Sequence, residues 1–281
     1  MKKLTVLPGM IAVAALALVG CESTGGGGGT EVAEDCQPQH EFETINEGTL
    51  TISVPDLVPF SAYNNGDPTG VDIDVAKKVA EANCLEITWE QVSYAGAVPS
   101  VTNGRADLTL GCFYRTTERD EVASLTAPIY ADSMASISKD GVDSITDMES
   151  LKVGSVDGYL WVQDMNAVMG GNHTIYPSSV EMEADLEAGR IDVALDSYGA
   201  AQERHQDDDC TVAEVQPDDR VKASTEPAQI AFPMTKDNAD MLTAFDAVIE
   251  QLHEDGTMVE ILTEHGLPES AAETGDPRLI G

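Results

Sequence analysis

The feature that most limits the possible folds is an alternation of strand patterns with helix patterns along the chain. In its first run, strands are predicted at 49–54, 86–92 and 106–111, and helices at 70–83 and 95–104 between them. The first helix has apolar residues at helical spacing and acidic residues in its first turn. Strands that alternate with helices of this length predict an α/β fold with mainly parallel sheets.

The alternation then starts again. The second run predicts strands at 151–156 and 173–177 and helices at 161–170 and 179–189. The stretch "NGRADLTLG" (103–111) in the first run is echoed by "AGRIDVALD" (188–196) in the second. In both, a glycine that can adopt the left-handed conformation ends a helix and a strand follows at once. Two unrelated helix-to-strand turns could look alike, but together with the repeated alternation the echo predicts two similar lobes.

The segment 238–267 predicts two further helices, broken at Asp255 and Gly256. Apolar residues recur along the first of them at helical spacing, which is typical of a helix face buried in a core.

The charge of the chain excludes some classes of partner. Fifty Asp and Glu residues stand against 15 Lys and Arg, a formal net charge of −35, while 42% of the residues are hydrophobic. That hydrophobic content is ordinary for a globular protein, so the acidity does not indicate disorder. Nucleic acids and anionic lipid surfaces both attract basic surfaces, so we expect neither as a partner of the folded body. The simplest interpretation is a solvated acidic coat, and a salty habitat is left open.

The N-terminus predicts export. Lys2 and Lys3 precede an apolar run of 17 residues that contains Pro8 and ends before Cys21. The run is short for a membrane-spanning helix. Its end resembles the bacterial lipobox, so 1–20 is predicted to be a removable signal peptide and Cys21 to be lipidated. An ordinary secretory signal or a short membrane anchor are the alternatives.

A linker with five consecutive glycines follows, and we expect residues 21–45 to be a flexible tether. Two or more acyl chains on Cys21 would suffice for stable anchoring. Four other cysteines remain, an even number in an oxidising compartment, namely Cys36, Cys84, Cys112 and Cys210. Sequence alone leaves their connectivity open, and the preferred pair is Cys36 with Cys84, which would join the start of the folded body to the end of its first helix. The cysteine and histidine spacings do not suit zinc, so no metal is expected.

Four segments in order resemble the extracellular solute-binding proteins of ABC importers, family 3, which mostly bind polar amino acids. They are "VPFSAYNNGDPTGVDIDVAKKVAE", "YAGAVPSVTNGRADLTLG", "RTTERDEVASLTAPIY" and "EDGTMVEILTEHG". The resemblance covers about residues 47–267. It implies a two-lobed type II periplasmic-binding-protein fold, with two mixed, mostly parallel sheets, flanking helices and two hinge crossings.

The resemblance also implies the lobe boundaries. The crossings are expected near 134–141 and 226–234, which gives lobe 1 as 46–135 with 232–281 and lobe 2 as 136–231. Ligand is expected where the lobes meet, at the carboxyl ends of the strands.

Two residues match ligand-binding positions of the family. Arg119 matches the arginine that holds the ligand's α-carboxylate, a role that suits a planar guanidinium. Tyr94 matches the aromatic that stacks on the ligand side chain. The alternatives are a surface ion pair of Arg119 with Glu118 or Asp120, and a core position for Tyr94.

The chain departs from the family around these residues. Cys112 and Tyr114 stand where hydroxyl side chains are common, and lobe 2 reads Gly158-Tyr159-Leu160-Trp161 where the family has Gly-Ser/Thr-Thr. Because Tyr94, Tyr114, Tyr159 and Trp161 could line one cleft, a cation held by ring faces or a flatter ligand is a further possibility. Tyr159 and Trp161 could instead pack on their helix.

Two other departures concern charge. The family's ammonium-binding aspartate falls at Ser197 in this chain, and Asp196 is one residue early. Asp196 and Asp56 are added to the candidate site as the carboxylates expected near the cleft. Arg115 has no family counterpart and is expected at the rim or behind the site.

The resemblance implies a receptor rather than an enzyme. We expect a monomer on the outer face of the bacterial cytoplasmic membrane that captures an amino-acid-like solute for an ABC permease, without a cofactor. A sensory surface lipoprotein is one alternative. A cyclic-acid dehydratase on the same fold is another, for which Asp196 and Asp56 would be the candidate acid–base groups, although no catalytic motif surrounds them.

Overall fold

The computed structural model describes residues 1, 32–33, 35–64, 66–205, 209–225 and 227–280. The predicted signal peptide, Cys21 and most of the predicted linker lie outside the described residues. The strands in chain order, β1 to β14, are Thr49–Val54, Ala62–Asn64, Asp67–Thr69, Glu86–Gln91, Leu108–Thr109, Ser124–Leu125, Ala131–Asp132, Met134–Ser138, Val153–Val156, His173–Tyr176, Val193–Ser197, Thr211–Glu214, Ala228–Gln229 and Pro233–Met234.

The α-helices, α1 to α9, are Val71–Ala82, Tyr94–Thr102, Thr117–Val122, Ile145–Met148, Val162–Met169, Ser179–Glu187, Tyr198–Arg204, Ala239–Glu254 and Thr257–Glu264. Single-turn 3₁₀ helices lie at Gly170–Asn172, Lys222–Ser224 and Glu269–Ala272. Among the described residues, no helix is both long enough and apolar enough to cross a bilayer.

Two five-stranded sheets organise the molecule. The first has the order β4-β1-β5-β14-β6, and the second has the order β10-β9-β11-β8-β12. In each sheet three neighbouring strands are parallel, and the next strand is antiparallel to them. The prediction of two lobes with mixed, mostly parallel sheets is therefore confirmed. We call the first sheet with its helices α1, α2, α3, α8 and α9 the first half, and the second sheet with α4 to α7 the second half.

A short two-stranded ladder joins the halves. Ala131–Asp132 (β7) pairs with Ala228–Gln229 (β13), antiparallel. Each of these strands leads directly into the antiparallel strand of the sheet it enters, since β8 follows β7 and β14 follows β13. The first crossing, expected near 134–141, lies at β7 just before that range, and Met134–Ser138 is already a paired strand of the second sheet. The second crossing lies within the expected 226–234.

The echo between the two runs corresponds to the same turn built twice. Gly104 and Gly189 both have φ of +67° and end α2 and α6, which is the left-handed conformation that glycine adopts most readily. Beyond each turn an aspartate carboxylate accepts a backbone N–H at the neighbouring strand. Asp107 accepts from Thr51 at 2.8 Å, and Asp192 accepts from Lys152 at 2.8 Å.

Most of the buried apolar residues form one core cluster that extends through both halves. The stripe predicted for the first C-terminal helix is part of it, because Phe245, Val248 and Ile249 of α8 are buried. The break predicted at Asp255 and Gly256 falls between α8 and α9.

The tail after the last helix lies across the joining ladder. The side-chain amide of Gln229, in β13, donates to the carbonyls of Thr274 and Asp276 at 2.8 Å, and its oxygen accepts the Arg278 N–H at 2.7 Å. Further on, Ile280 exchanges backbone hydrogen bonds with the segment 115–117. The tail is thus bonded to a crossing strand and to the segment that begins α3.

A disulfide closes the start of the described body. Cys36 and Cys84 are bonded, with Cα atoms 5.8 Å apart, and they are the pair preferred from the sequence. The bond joins the segment before β1 to the end of α1.

Removing this disulfide should destabilise the protein, because the bond closes a chain segment with a sequence separation of 48 residues. The chain-entropy model gives a loss of about 4 kcal/mol for such a loop. The measurement is equilibrium urea unfolding of the protein with and without reductant.

The matched control is the double variant Cys36→Ser and Cys84→Ser, which should unfold at the midpoint of the reduced parent and should not respond to reductant. A reductant response that persists in the double variant would contradict the assignment of the effect to this bond.

Candidate functional site

A cleft of about 390 Å³ lies between the two halves. Its wall on the first half is formed by the start of α2 and by the segment from Phe113 to Val122, and its wall on the second half by the residues that follow β9. Residues from both halves line it, among them Tyr94, Val98, Phe113, Thr116, Arg119, Asp157, Gly158, Tyr159, Leu160 and Gln163. Most of these residues follow the carboxyl ends of parallel strands, where open α/β sheets place their ligand sites.

Local sequence explains how Tyr94 and Arg119 are positioned. Ser93 caps α2 by accepting the Gly96 N–H at 3.3 Å, so Tyr94 is the first residue of that helix. Thr116 caps α3 in the same way by accepting the Arg119 N–H at 3.1 Å. Both side chains therefore stand at the start of a helix that faces the cleft.

Arg119 is the candidate carboxylate-binding residue, and its guanidinium is held by uncharged groups. Nη1 donates to the Tyr114 carbonyl at 2.7 Å, and the guanidinium carbon lies 5.0 Å from the centre of the Phe113 ring. The side chain is half-buried. Within the described part of the chain no carboxylate forms a salt bridge with it, so the surface ion pair with Glu118 or Asp120 is not formed.

Arg115 has a different environment. Its guanidinium donates to the carbonyls of Thr126 and of Arg278, the second at 3.3 Å, and it does not line the cleft. This agrees with the expectation of a position behind the site.

Five aromatic rings meet beside Arg119, and we call them the aromatic cluster: Tyr94, Phe113, Tyr114, Tyr159 and Trp161. Tyr94 stacks on Phe113 with centroids 4.6 Å apart and meets the Tyr159 ring edge-on at 5.0 Å. Trp161 meets Tyr159 at 5.0 Å and Tyr114 at 6.2 Å. Two of these contacts, Tyr94 with Tyr159 and Tyr114 with Trp161, join one half to the other.

The polar atoms of three of these rings donate to acceptors behind the cluster. The Tyr159 hydroxyl donates to Asp196 at 2.9 Å, and the Tyr114 hydroxyl to Asp132 at 2.9 Å. The Trp161 ring nitrogen donates to the Ser155 hydroxyl at 3.1 Å. These rings therefore contribute mainly carbon to the space between the halves.

Gly158 allows the walls to approach each other. Its φ is +88°, and a Cβ atom built there would lie 3.1 Å from the Ala95 Cα and 3.3 Å from Cδ1 of Tyr94. Any larger residue would press on the start of α2 in the other half.

Asp196, the candidate ammonium anchor, does not line the cleft. Its side chain is fully buried, forms a salt bridge with Arg204, and accepts the Ser197 N–H at 2.8 Å and the Tyr159 hydroxyl. The placement of this carboxylate at the cleft wall is thus corrected, because an internal arginine already neutralises it. Arg204 lies eight residues away, at the end of the short helix α7, where no sequence pattern pointed to it.

Asp56 is also away from the cleft lining. It is exposed just after β1, and its neighbour Leu57 is the residue that reaches the inner part of the site. Cys112, by contrast, lines the inner part of the site, buried beside Tyr114 with its thiol 3.6 Å from Asp132.

Two residues that were not predicted from the sequence, Phe113 and Asp132, hold the side chains of the site in place. Phe113 stacks on Tyr94 and lies under Arg119; it stands between two residues that were singled out, which was the one available signal. Asp132 had no signal. It lies in the crossing strand β7 and accepts from Tyr114 and Cys112 of the first half and from the Gly199 N–H, at 3.1 Å, of the second.

Burial raises the pKa of Asp132 to about 6, although the Gly199 N–H, the Tyr114 hydroxyl and the Cys112 thiol all favour its charged form. Burial likewise raises the pKa of Asp72, in the first turn of α1, to about 6. Asp72 accepts the N–H groups of Gly111 and Cys112 and the Tyr130 hydroxyl, each at 2.8 Å. Both carboxyls thus hold the segment that leads to Arg119.

Residues 50–268 match the family described as bacterial extracellular solute-binding proteins, family 3. The chain belongs to this family.

Relatives of known description agree in class. Over 167 residues, the chain is 26% identical to a probable histidine-binding protein of Campylobacter jejuni, a match that covers 57% of this chain and 60% of that protein. It is 26% identical to the lysine/arginine/ornithine-binding periplasmic protein of Escherichia coli over 226 residues, with coverage of 76% and 84%.

A solved structure supports the fold. A substrate-binding protein of an ABC uptake transporter from Streptococcus pneumoniae, solved with bound histidine, superposes with a TM-score of 0.71. The identity is 21%, and the match covers 80% of this chain and 94% of that one. The family 3 member described here therefore has the type II periplasmic-binding-protein fold that its sequence predicted.

The raised pKa of Asp132 gives a prediction for stability against pH. Between its unfolded value of 3.8 and about 6, the folded protein keeps a proton that the unfolded chain has lost. The contribution of this proton to the free energy of unfolding is therefore complete below about pH 3.8 and is lost as the pH rises through 6. Asp132→Asn stays neutral, so from pH 4 to 7 its free energy of unfolding should gain on that of the parent by up to roughly 3 kcal/mol.

The measurement is urea unfolding of both proteins at several pH values. A constant offset between them, as expected from lost hydrogen bonds alone, is independent of pH and would contradict the prediction.

Proposed function

We propose that this protein is a lipid-anchored extracellular receptor that captures a small amino-acid-like solute and delivers it to an ABC importer. The observation that supports the proposal most directly is the Arg119 guanidinium, which lies in the cleft wall without a carboxylate partner among the described residues. A chain with a net charge of −35 repels a carboxylate over most of its surface, so a fixed cation in a narrow cleft is needed to attract and bind one.

The two halves supply the mechanism of capture. They are joined by a ladder of only two residues per strand, and the cleft lies between them. A solute that contacts both walls would stabilise the closed arrangement, because its contacts with the second half are made only there. The relatives are named for binding histidine or lysine, arginine and ornithine, which supports an amino-acid-like solute as the class.

Anchoring rests on the sequence. Lys2, Lys3 and the apolar run before Cys21 resemble a lipoprotein signal, and the glycine-rich linker would let the folded body move above the membrane. We expect a monomer that meets a permease in the membrane. Neither Asp196 nor Asp56 lines the cleft, and no observation favours the dehydratase or the sensory alternative, so we propose no second function.

The carboxylate role of Arg119 is tested by Arg119→Met, which keeps an unbranched apolar side chain and removes the guanidinium and its charge. Binding of the amino acid that gives the largest thermal shift in a screen of the common amino acids should weaken by about 100-fold or more, because a charge-assisted, bidentate contact is lost. Isothermal titration gives the dissociation constants.

The matched control is Arg105→Met, an exposed arginine outside the cleft lining, which should bind as the parent does. Equal binding by Arg119→Met and the parent would contradict the proposed role. If no ligand with a carboxylate binds in the screen, the proposed function is overturned.

The anchor is tested by Cys21→Ala in the bacterial host. The parent should fractionate with membranes and incorporate labelled fatty acid, whereas the variant should incorporate none and lose its stable attachment. Cys210→Ala is the control with the same chemical change away from the N-terminus, and it should stay with the membranes. Labelling of the Cys21 variant would contradict lipidation at this residue.

A further inference from the structure

The innermost part of the site lies between Arg119 and the aromatic cluster. It is a void of about 10 Å³, lined by Leu57, Tyr94, Cys112, Tyr114, Tyr159, Trp161 and Ser197 with Leu160 and Arg119. That volume holds no more than about one water molecule, so a solute has to part the rings to enter. Arg119 is the one charged side chain among the described residues that line this void.

Opening would present ring faces on both sides of the entering solute. The contacts of Tyr94 with Tyr159 and of Tyr114 with Trp161 join the two halves, so separating the halves separates these pairs. Tyr94 is half-buried and lines both the void and the outer cleft. A group that enters beside Arg119 would thus be enclosed by aromatic carbon from either wall.

The two buried carboxylates behind the rings are already fully bonded. Asp196 accepts from Tyr159 and Ser197 and is paired with Arg204. Asp132 accepts from Tyr114, Cys112 and Gly199. An ammonium group that used either carboxylate would have to displace donors from a buried site, and at Asp196 it would also leave the charge of Arg204 unpaired.

The acidic residues that do line the outer cleft are poor anchors for an ammonium group. Glu118 and Asp157 are exposed at its rim. An ion pair at such a position is screened by water and contributes little to affinity.

A nitrogen that carries no N–H donors avoids this cost. A quaternary ammonium group needs no hydrogen-bond acceptor, and aromatic ring faces attract it through their quadrupole. Arg119 at one end and the aromatic cluster at the other therefore match a molecule with a carboxylate and a fully alkylated nitrogen.

We propose that the cleft prefers betaine-type solutes, in which a carboxylate lies on Arg119 and a quaternary ammonium group lies among the rings of the aromatic cluster. The inference rests on the proposed function and names the solute class for that same site.

The test compares matched pairs of ligands by isothermal titration with the purified full chain. The pairs are glycine with glycine betaine, proline with its N,N-dimethyl betaine, and histidine with its N,N,N-trimethyl betaine. At least one betaine should bind about 10-fold or more tightly than its parent amino acid.

Tyr94→Leu should weaken binding of that betaine by about 10-fold, because the ring face is lost while the side chain stays apolar. The control is Tyr198→Leu, a half-buried tyrosine outside the cleft lining, which should bind as the parent does.

The outcomes separate this inference from the proposed function. If the free amino acids bind as tightly as their betaines or more tightly, the preference is overturned and the receptor function stands. Betaine binding that is unchanged in Tyr94→Leu overturns the role of the rings. If no member of the pairs binds and none of the common amino acids gives a thermal shift, both proposals fall together.

Discussion

The buried carboxylate of Asp72 is the contact on which the geometry of the cleft depends. It lies in the first turn of α1, and it holds the backbone N–H groups of Gly111 and Cys112 where β5 has ended. Cys112 has a φ of +56°, an uncommon conformation for a residue with a side chain, and these hydrogen bonds help to keep it there. From this point the chain continues to Phe113, Tyr114 and Arg119, so one buried acid helps to position the cation and these two rings.

Asp132 is a second buried carboxyl that positions the site, and it is hydrogen-bonded to both halves. It binds the side chains of Cys112 and Tyr114 and, in the second half, the start of α7. Because this carboxyl lies in the joining ladder and is hydrogen-bonded to both halves, the halves meet there through a polar network rather than through apolar packing. Such networks specify one geometry when every member is satisfied, and they are costly when one partner is removed.

The sequence predicted the long elements and the two echoing turns, because periodic apolar residues and a glycine after each helix are local signals. β1 was predicted with its observed bounds, whereas β5 was predicted as 106–111 and is only Leu108–Thr109, since the side chain of Asp107 and the turn at Gly111 occupy its ends. The hairpin of β2 and β3 and the helices α3 and α7 were not predicted, being too short to show a period.

Within the candidate site, the position of Arg119 and of the tyrosines could be anticipated, but the use of Asp196 could not. Whether Asp196 faces the cleft or an internal arginine is decided by how α7 packs, because Arg204 is the last residue of that helix. The same holds for Asp132, whose partners come from two separate parts of the chain, the segment 112–114 and Gly199. Contacts of this kind are tertiary, and residue spacing gives no information about them.

The tail that crosses the ladder changes how the halves can move. Gln229 bonds it at the crossing strand, and Ile280 bonds it to the residues just before α3, the helix of Arg119. A rotation about the ladder cannot leave the tail where it was unless these hydrogen bonds break. The tail therefore connects the crossing strand at Gln229 with the backbone at the start of the helix that carries Arg119, so movement at the crossing and the position of that helix are not independent.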